Sequence, residues 1–181
     1  MDDYTLSLDP ETEMFCTLYL FKDVQNSDEI RKKIMNGELC CSIIKASLVV
    51  DPLQLIVAAN KAVISAKINQ LTTKSLYTEV LFNLSMSKNI VRTLTEFGID
   101  DNDKNILIVL IYKNNDEKES VSEVLTDTIK GERISVSRLS EFTDFELIKK
   151  IYKIEKDELN ISSLTNSIVS RISCKDFILL K

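Results

Sequence analysis

The chain of 181 residues contains no histidine. That absence removes the usual general base near neutral pH, the commonest metal ligand and the partner that activates a serine or cysteine nucleophile. Acid–base work would have to rest on carboxylates, and Asp51 with Glu79 is the pair that could attempt it. Nothing in their spacing brings them together. Asp51 stands before Pro52 as a helix cap does, and Glu79 reads as a strand-end charge or a partner for Lys74. Of the four cysteines, Cys16, Cys40, Cys41 and Cys174, none stands at CxxC spacing, and zinc asks for four ligands. The adjacent Cys40 and Cys41 read as two small buried hydrophobes, and all four thiols as reduced. No GxxxxGK[ST] or GxGxxG run offers a phosphate cradle. Gly37, Gly98 and Gly131 read as helix terminators. No catalytic centre, metal or cofactor is expected.

The polar residue that stands out is Asn60, because of the helix that must carry it. Asp51 and Pro52 open a helix over LVVDPLQLIVAANKAVISAKI, residues 48 to 68. At ~100° per residue, Leu53, Ile56, Val57, Ile64 and Ile68 fall on one face, and Ala58, Ala62 and Ala66 form a small-residue stripe opposite. Both sides are expected to be covered, which makes this the central helix. Asn60, flanked by Lys61, interrupts the large apolar face. An amide there must be hydrogen-bonded or it costs about 1–3 kcal/mol, so Asn60 is expected to tie down a neighbouring loop.

Composition bounds the rest. Apolar residues make up 44% and charged residues 28%, with three Gly and two Pro, so regular structure should dominate one domain over residues 1 to 181, with 1 to 12 poorly ordered. No apolar run approaches ~20 residues, and the N-terminus is acidic, so neither a membrane span nor a secretory signal is expected. A net charge of −5 disfavours broad gripping of duplex nucleic acid, and any such contact must be local.

Met14 to Phe21 reads as a buried strand, and Asn26 with Glu29 as a capping box opening a helix to Gly37. Glu79 to Ser85 reads as a second strand. Ser87 then caps a helix with Ile90, Val91, Leu94 and Phe97 on one face. Asn105 to Tyr112 reads as a third strand, and its continuous apolar run predicts burial on both faces. Residues 113 to 119 read as a solvated loop or helix entry. Ser120 with Glu123, and Thr143 with Glu146, offer two more capping boxes. A last helix over Leu159 to Cys174 places Ile161, Leu164, Ile168 and Ile172 in a narrow stripe with Val169 at its edge. The expected fold is mixed α/β: a small central mixed sheet covered by helices on both faces, with a helix-rich C-terminal part.

Taken in order, LFKDV, VVDPLQLIVAANKAV, TEVLFNLS, FGI, KKIYKI and SRIS before Lys175–Asp176 resemble the PRPK-binding protein family, the TPRKB-like small subunit of the KEOPS (EKC) complex. The resemblance covers about residues 14 to 178. It implies a non-catalytic subunit, acting in cytosol and nucleus, of the assembly that installs threonylcarbamoyl on a tRNA adenosine beside the anticodon. In that family the subunit docks on an atypical kinase-like ATPase, which contacts the threonylcarbamoyl transferase, and archaeal relatives also hold the tRNA CCA end. The resemblance places the kinase contact on the last helix, with Ile168 and Ile172 as central anchors and Leu164 and Val169 beside them. On that assignment Ile168→Arg removes kinase binding and leaves the monomer folded. For a tRNA end, Asn60, Lys61, Lys67, Thr73 and Lys74 are the candidate contacts, with Tyr77 to stack, since a short single strand needs a few cations, donors and a stacking surface. The other reading is a scaffold or kinase regulator without RNA binding.

Overall fold

The computed structural model describes residues 4 to 177. Two apolar runs form its middle. Strand β2 (Phe15–Lys22) pairs antiparallel with β4 (Ile106–Tyr112) along their length, from Phe15 opposite Tyr112 to Phe21 opposite Ile106. The far edge of β4 takes β3 (Ser42–Lys45), and the far edge of β2 takes first β1 (Tyr4–Ser7) and then the short β5 (Glu132–Ile134). Every described pairing is antiparallel, where a mixed sheet was expected. Tyr4–Ser7 form a strand within the segment expected to lack order. Residues 1 to 3 lie outside the described part.

Because side chains alternate along a strand, the two central strands supply two cores. Cys16, Leu18 and Leu20 with Leu107, Val109 and Ile111 face one side. Tyr19 and Phe21 with Ile106, Ile108, Leu110 and Tyr112 face the other. The second side is covered by α1 (Ser27–Met35) and α5 (Asn115–Thr128), through Ile30 and Leu125. The first side carries α2 (Pro52–Lys67), α3 (Leu76–Leu84), α4 (Ile90–Phe97), α6 (Phe145–Ile151) and α7 (Leu164–Cys174). The mixed α/β class and the cover on both faces agree with the sequence. Tyr152, fully buried, joins three of these helices. Its hydroxyl donates to the Leu84 carbonyl at 2.7 Å and accepts from Gln54 Nε2 at 3.0 Å.

Several local expectations are corrected. Residues 79 to 85, expected as a strand, belong to α3. Ser75 and Thr78 cap each other's backbone at its start, and a short apolar run fits either period. Helix α5 begins at Asn115, earlier than Ser120 implied. Asn114 Oδ1 accepts from Glu117 N–H at 3.0 Å and Glu117 Oε2 from Lys113 N–H at 2.8 Å, a reciprocal cap. Asn89 rather than Ser87 caps α4, and Asp144 rather than Thr143 caps α6. Asn26 makes no cap bond and instead bridges to the Thr128 carbonyl and Lys130 N–H. Gly131 ends no helix. A Cβ there would lie 2.9 Å from both the Lys22 carbonyl oxygen and Val24 Cγ2, so the close approach of β5 to β2 is what requires glycine.

Candidate partner-binding face

Helix α2 starts as its sequence dictates, with the Asp51 carboxylate accepting from Leu53 N–H at 2.8 Å and Pro52 in the first turn. Its alanine side is buried: Ala58, Ala59 and Ala62 are inaccessible, and without bulky side chains there α3 packs close enough for Asn83 Nδ2 to donate to the Ala58 carbonyl at 3.1 Å. The bulky side was expected to be covered as well, and it is not. Ile56 is buried, but Leu53, Ile64 and Ile68 are 42%, 38% and 54% exposed and Val57 is half-buried. These four recur at helical spacing, so they form one apolar strip along the outer side of α2.

The strip has two defined borders. On one, Asn60 Oδ1 accepts from Asp9 N–H at 2.7 Å and Lys67 Nζ donates to the Glu11 carbonyl at 2.7 Å, tying the turn after β1 to the helix. The loop-tying role expected of Asn60 is met. On the other border Lys61 Nζ donates to the Ile172 carbonyl at 2.8 Å and pairs with Asp176 at 2.9 Å, which locks α7 alongside. Val169, one turn before Ile172 on α7, is half-buried.

The expectation that Ile168 and Ile172 face outward is contradicted. They are 0% and 1% exposed and belong to the core of the first sheet face. Leu164 is half-buried against that core, and Ile161, expected in the same stripe, is 90% exposed because α7 begins only after Ser163 caps it. The stripe was read correctly as apolar; its orientation depends on where α2 and α3 lie, which periodicity does not contain.

Two cationic side chains fix α7 and the turn that follows it. Arg171 donates to both Glu158 oxygens at 2.6 and 2.7 Å, which keeps that carboxyl down at about 2. The contribution of this pair is present above the ordinary carboxylate range and is lost as pH falls toward that value. Lys175 is 2% exposed, donates to the Phe82 carbonyl and sits 3.4 Å from the Phe82 ring centroid. Burial, reinforced by the like charge of Lys61, draws its ammonium down from 10.5 to about 8. Between about 8 and 10.5 the unfolded chain keeps a proton that the folded one has released, so stability contributed by this group rises with pH across that window and is flat below it. Urea melts at the two ends of the window should show that rise in the wild type and a smaller one in Lys175→Met. Identical slopes would mean that Lys175 is not desolvated.

The other sequence-singled residues do not converge. Thr73 N–H and Oγ1 both donate to Glu79 at 2.7 Å, and Thr72 N–H does so at 3.1 Å. Glu79, buried on α3, is the staple of the loop before it and neither a strand-end charge nor a Lys74 partner. Lys61 and Lys67 are committed as described, Tyr77 is half-buried, and Lys74 is exposed. Asn60, Lys61, Lys67, Thr73 and Lys74 therefore form no compact basic patch. Cys40 is exposed and only Cys41 is buried, which corrects the reading of that pair. Among the described residues no acidic or thiol cluster could hold a metal, and no helix is long and apolar enough to cross a membrane.

A family described as kinase binding protein CGI-121 matches residues 21 to 176. The EKC/KEOPS complex subunit TPRKB of Danio rerio is 42% identical over 164 residues, which cover 91% of this chain and 93% of the relative. The EKC/KEOPS complex subunit CGI121 of Yarrowia lipolytica is 30% identical over 149 residues, 80% and 83% of the two chains. That of Schizosaccharomyces pombe is 27% identical over 172 residues, 92% and 97%.

Proposed function

Because the chain belongs to the CGI-121 family of kinase binding proteins, we propose that it is a non-catalytic docking subunit of a KEOPS (EKC) assembly and that it seats on the kinase-like ATPase of that complex. The observation that carries the docking surface is the strip on α2. Leu53, Val57, Ile64 and Ile68, bordered by Val169 on α7, give an apolar centre with polar edges at Asn60, Lys61 and Lys67, the anatomy of a specific interface of about 800 Å² per partner. Burying each of the larger anchors would contribute roughly 1.5–3 kcal/mol.

Through the ATPase the chain serves the threonylcarbamoyl transferase and so the modification of tRNA adenosine, in cytosol and nucleus. The tRNA part rests on the family alone, since four of the five candidate residues, Asn60, Lys61, Lys67 and Thr73, are engaged within the fold. Co-purification with the kinase-like subunit tests the docking role, and the expected result is a stable complex of the two chains. Titration with intact tRNA and with tRNA lacking its CCA end tests the second role. Equal affinities are expected from this chain alone; a clear preference for the intact end would restore direct reading by Lys61, Lys67 and Lys74. Failure to bind the ATPase under any condition would remove the proposal.

A further inference from the structure

One cleft in this acidic chain gathers cations that are committed to nothing else. It lies between the turn after β3, the connection from α3 to α4, and the end of α6, and encloses about 530 Å³, within the range of small-molecule sites. Arg92 on α4 and Lys150 and Lys153 at the end of α6 line it, all three exposed. None of their side chains makes an ion pair or hydrogen bond among the described residues. Lys45, also there, is neutralised by Asp100 at 2.6 Å, and Glu96 contributes a carboxylate. Three uncommitted cations against one carboxylate leave two positive charges facing the same space.

The rest of the lining differs in kind. Leu48 is buried and Met86 and Ile151 are half-buried, so an aliphatic floor lies below the charged rim. A dianionic phosphate matches the rim, the aliphatic floor matches a flat heteroaromatic base, and Ser47 and Ser87, also in the lining, offer hydroxyls to the ribose that joins the two. We infer that this cleft binds a nucleoside monophosphate, with the phosphate on Arg92, Lys150 and Lys153 and the base against Leu48, Met86 and Ile151.

Calorimetric titration of the full chain with AMP, adenosine and inorganic phosphate tests this. AMP should saturate, and each fragment should bind weaker by roughly tenfold or more, the loss of one charge-assisted contact set or of the base contact. The Lys150→Glu/Lys153→Glu variant should lose AMP by a similar factor. Lys32→Glu, on the opposite side of the sheet, should not. Arg92→Gln gives the same reading should the double variant not fold. The inference is overturned if AMP shows no saturation, if inorganic phosphate binds as well as AMP, or if the Lys32→Glu variant loses as much as the cleft variants. Binding of an oligoribonucleotide or a phosphoserine peptide while AMP stays inert overturns it too. No second protein enters this assay, so its outcome is separate from that of ATPase docking.

Discussion

Ile168→Arg is expected to unfold the protein. The side chain is wholly inaccessible and packed in the core shared by the sheet, α2, α3 and α7, and Glu158, the carboxylate bound to α7, is already taken up by Arg171. A new unpaired charge in that core costs several kcal/mol, and the lost isoleucine adds a packing penalty of about 2–5 kcal/mol. Against a total stability of roughly 5–15 kcal/mol, little folded protein should remain. Circular dichroism should show loss of helix, and purification should give aggregate. Ile168→Val, by contrast, should cost about 0.5–1.5 kcal/mol and leave partner binding intact. A soluble Ile168→Arg with the wild-type spectrum and no kinase binding would return this residue to the interface and reverse the orientation of α7.

The opposite pattern is expected on α2. Leu53→Asp with Ile64→Asp should leave the melting temperature within a few degrees of wild type, since both side chains are part-exposed on the outer side of the helix and the buried alanine side is untouched. Binding of the kinase-like ATPase should fall by about 100-fold or more, because each carboxylate would be desolvated at the centre of the contact and hot-spot anchors contribute about 2 kcal/mol or more apiece. Surface plasmon resonance with the purified ATPase measures it. Wild-type affinity in the double variant would clear α2 of the role and shift attention to Leu164 and the exposed Ile161.

How much of this was legible in the sequence depends on which interactions are local. Helix α2 was readable because Asp51 and Pro52 act within one turn of it, and its division into an alanine side and a bulky side follows from spacing alone. β4 was readable from its unbroken apolar run. Which side of α2 the protein covers was not readable, since that is decided by α3, and residues 79 to 85 carry an apolar run too short to separate strand from helix. Ile168 and Ile172 were misplaced for another reason: their stripe is real, but that α7 lays it against α2 and the sheet is a long-range contact that spacing within one helix does not contain. Glu79 was misread for a related reason, because its three donors come from a loop whose path the sequence does not show. The cationic cleft was invisible, as Arg92 lies about 60 residues before Lys150 and Lys153 and joins them only in the lining of the folded chain.

The central claim, that the outer strip of α2 is the docking surface, is tested most directly by methyl-resolved NMR of the labelled chain as the unlabelled kinase-like ATPase is added. The signals of Leu53, Val57, Ile64 and Ile68, with Val169 at the border, should shift or broaden together, while Val124 on α5, exposed on the other side of the sheet, stays in place. Unchanged signals along α2, with the perturbation centred on α5 or another surface, would contradict it.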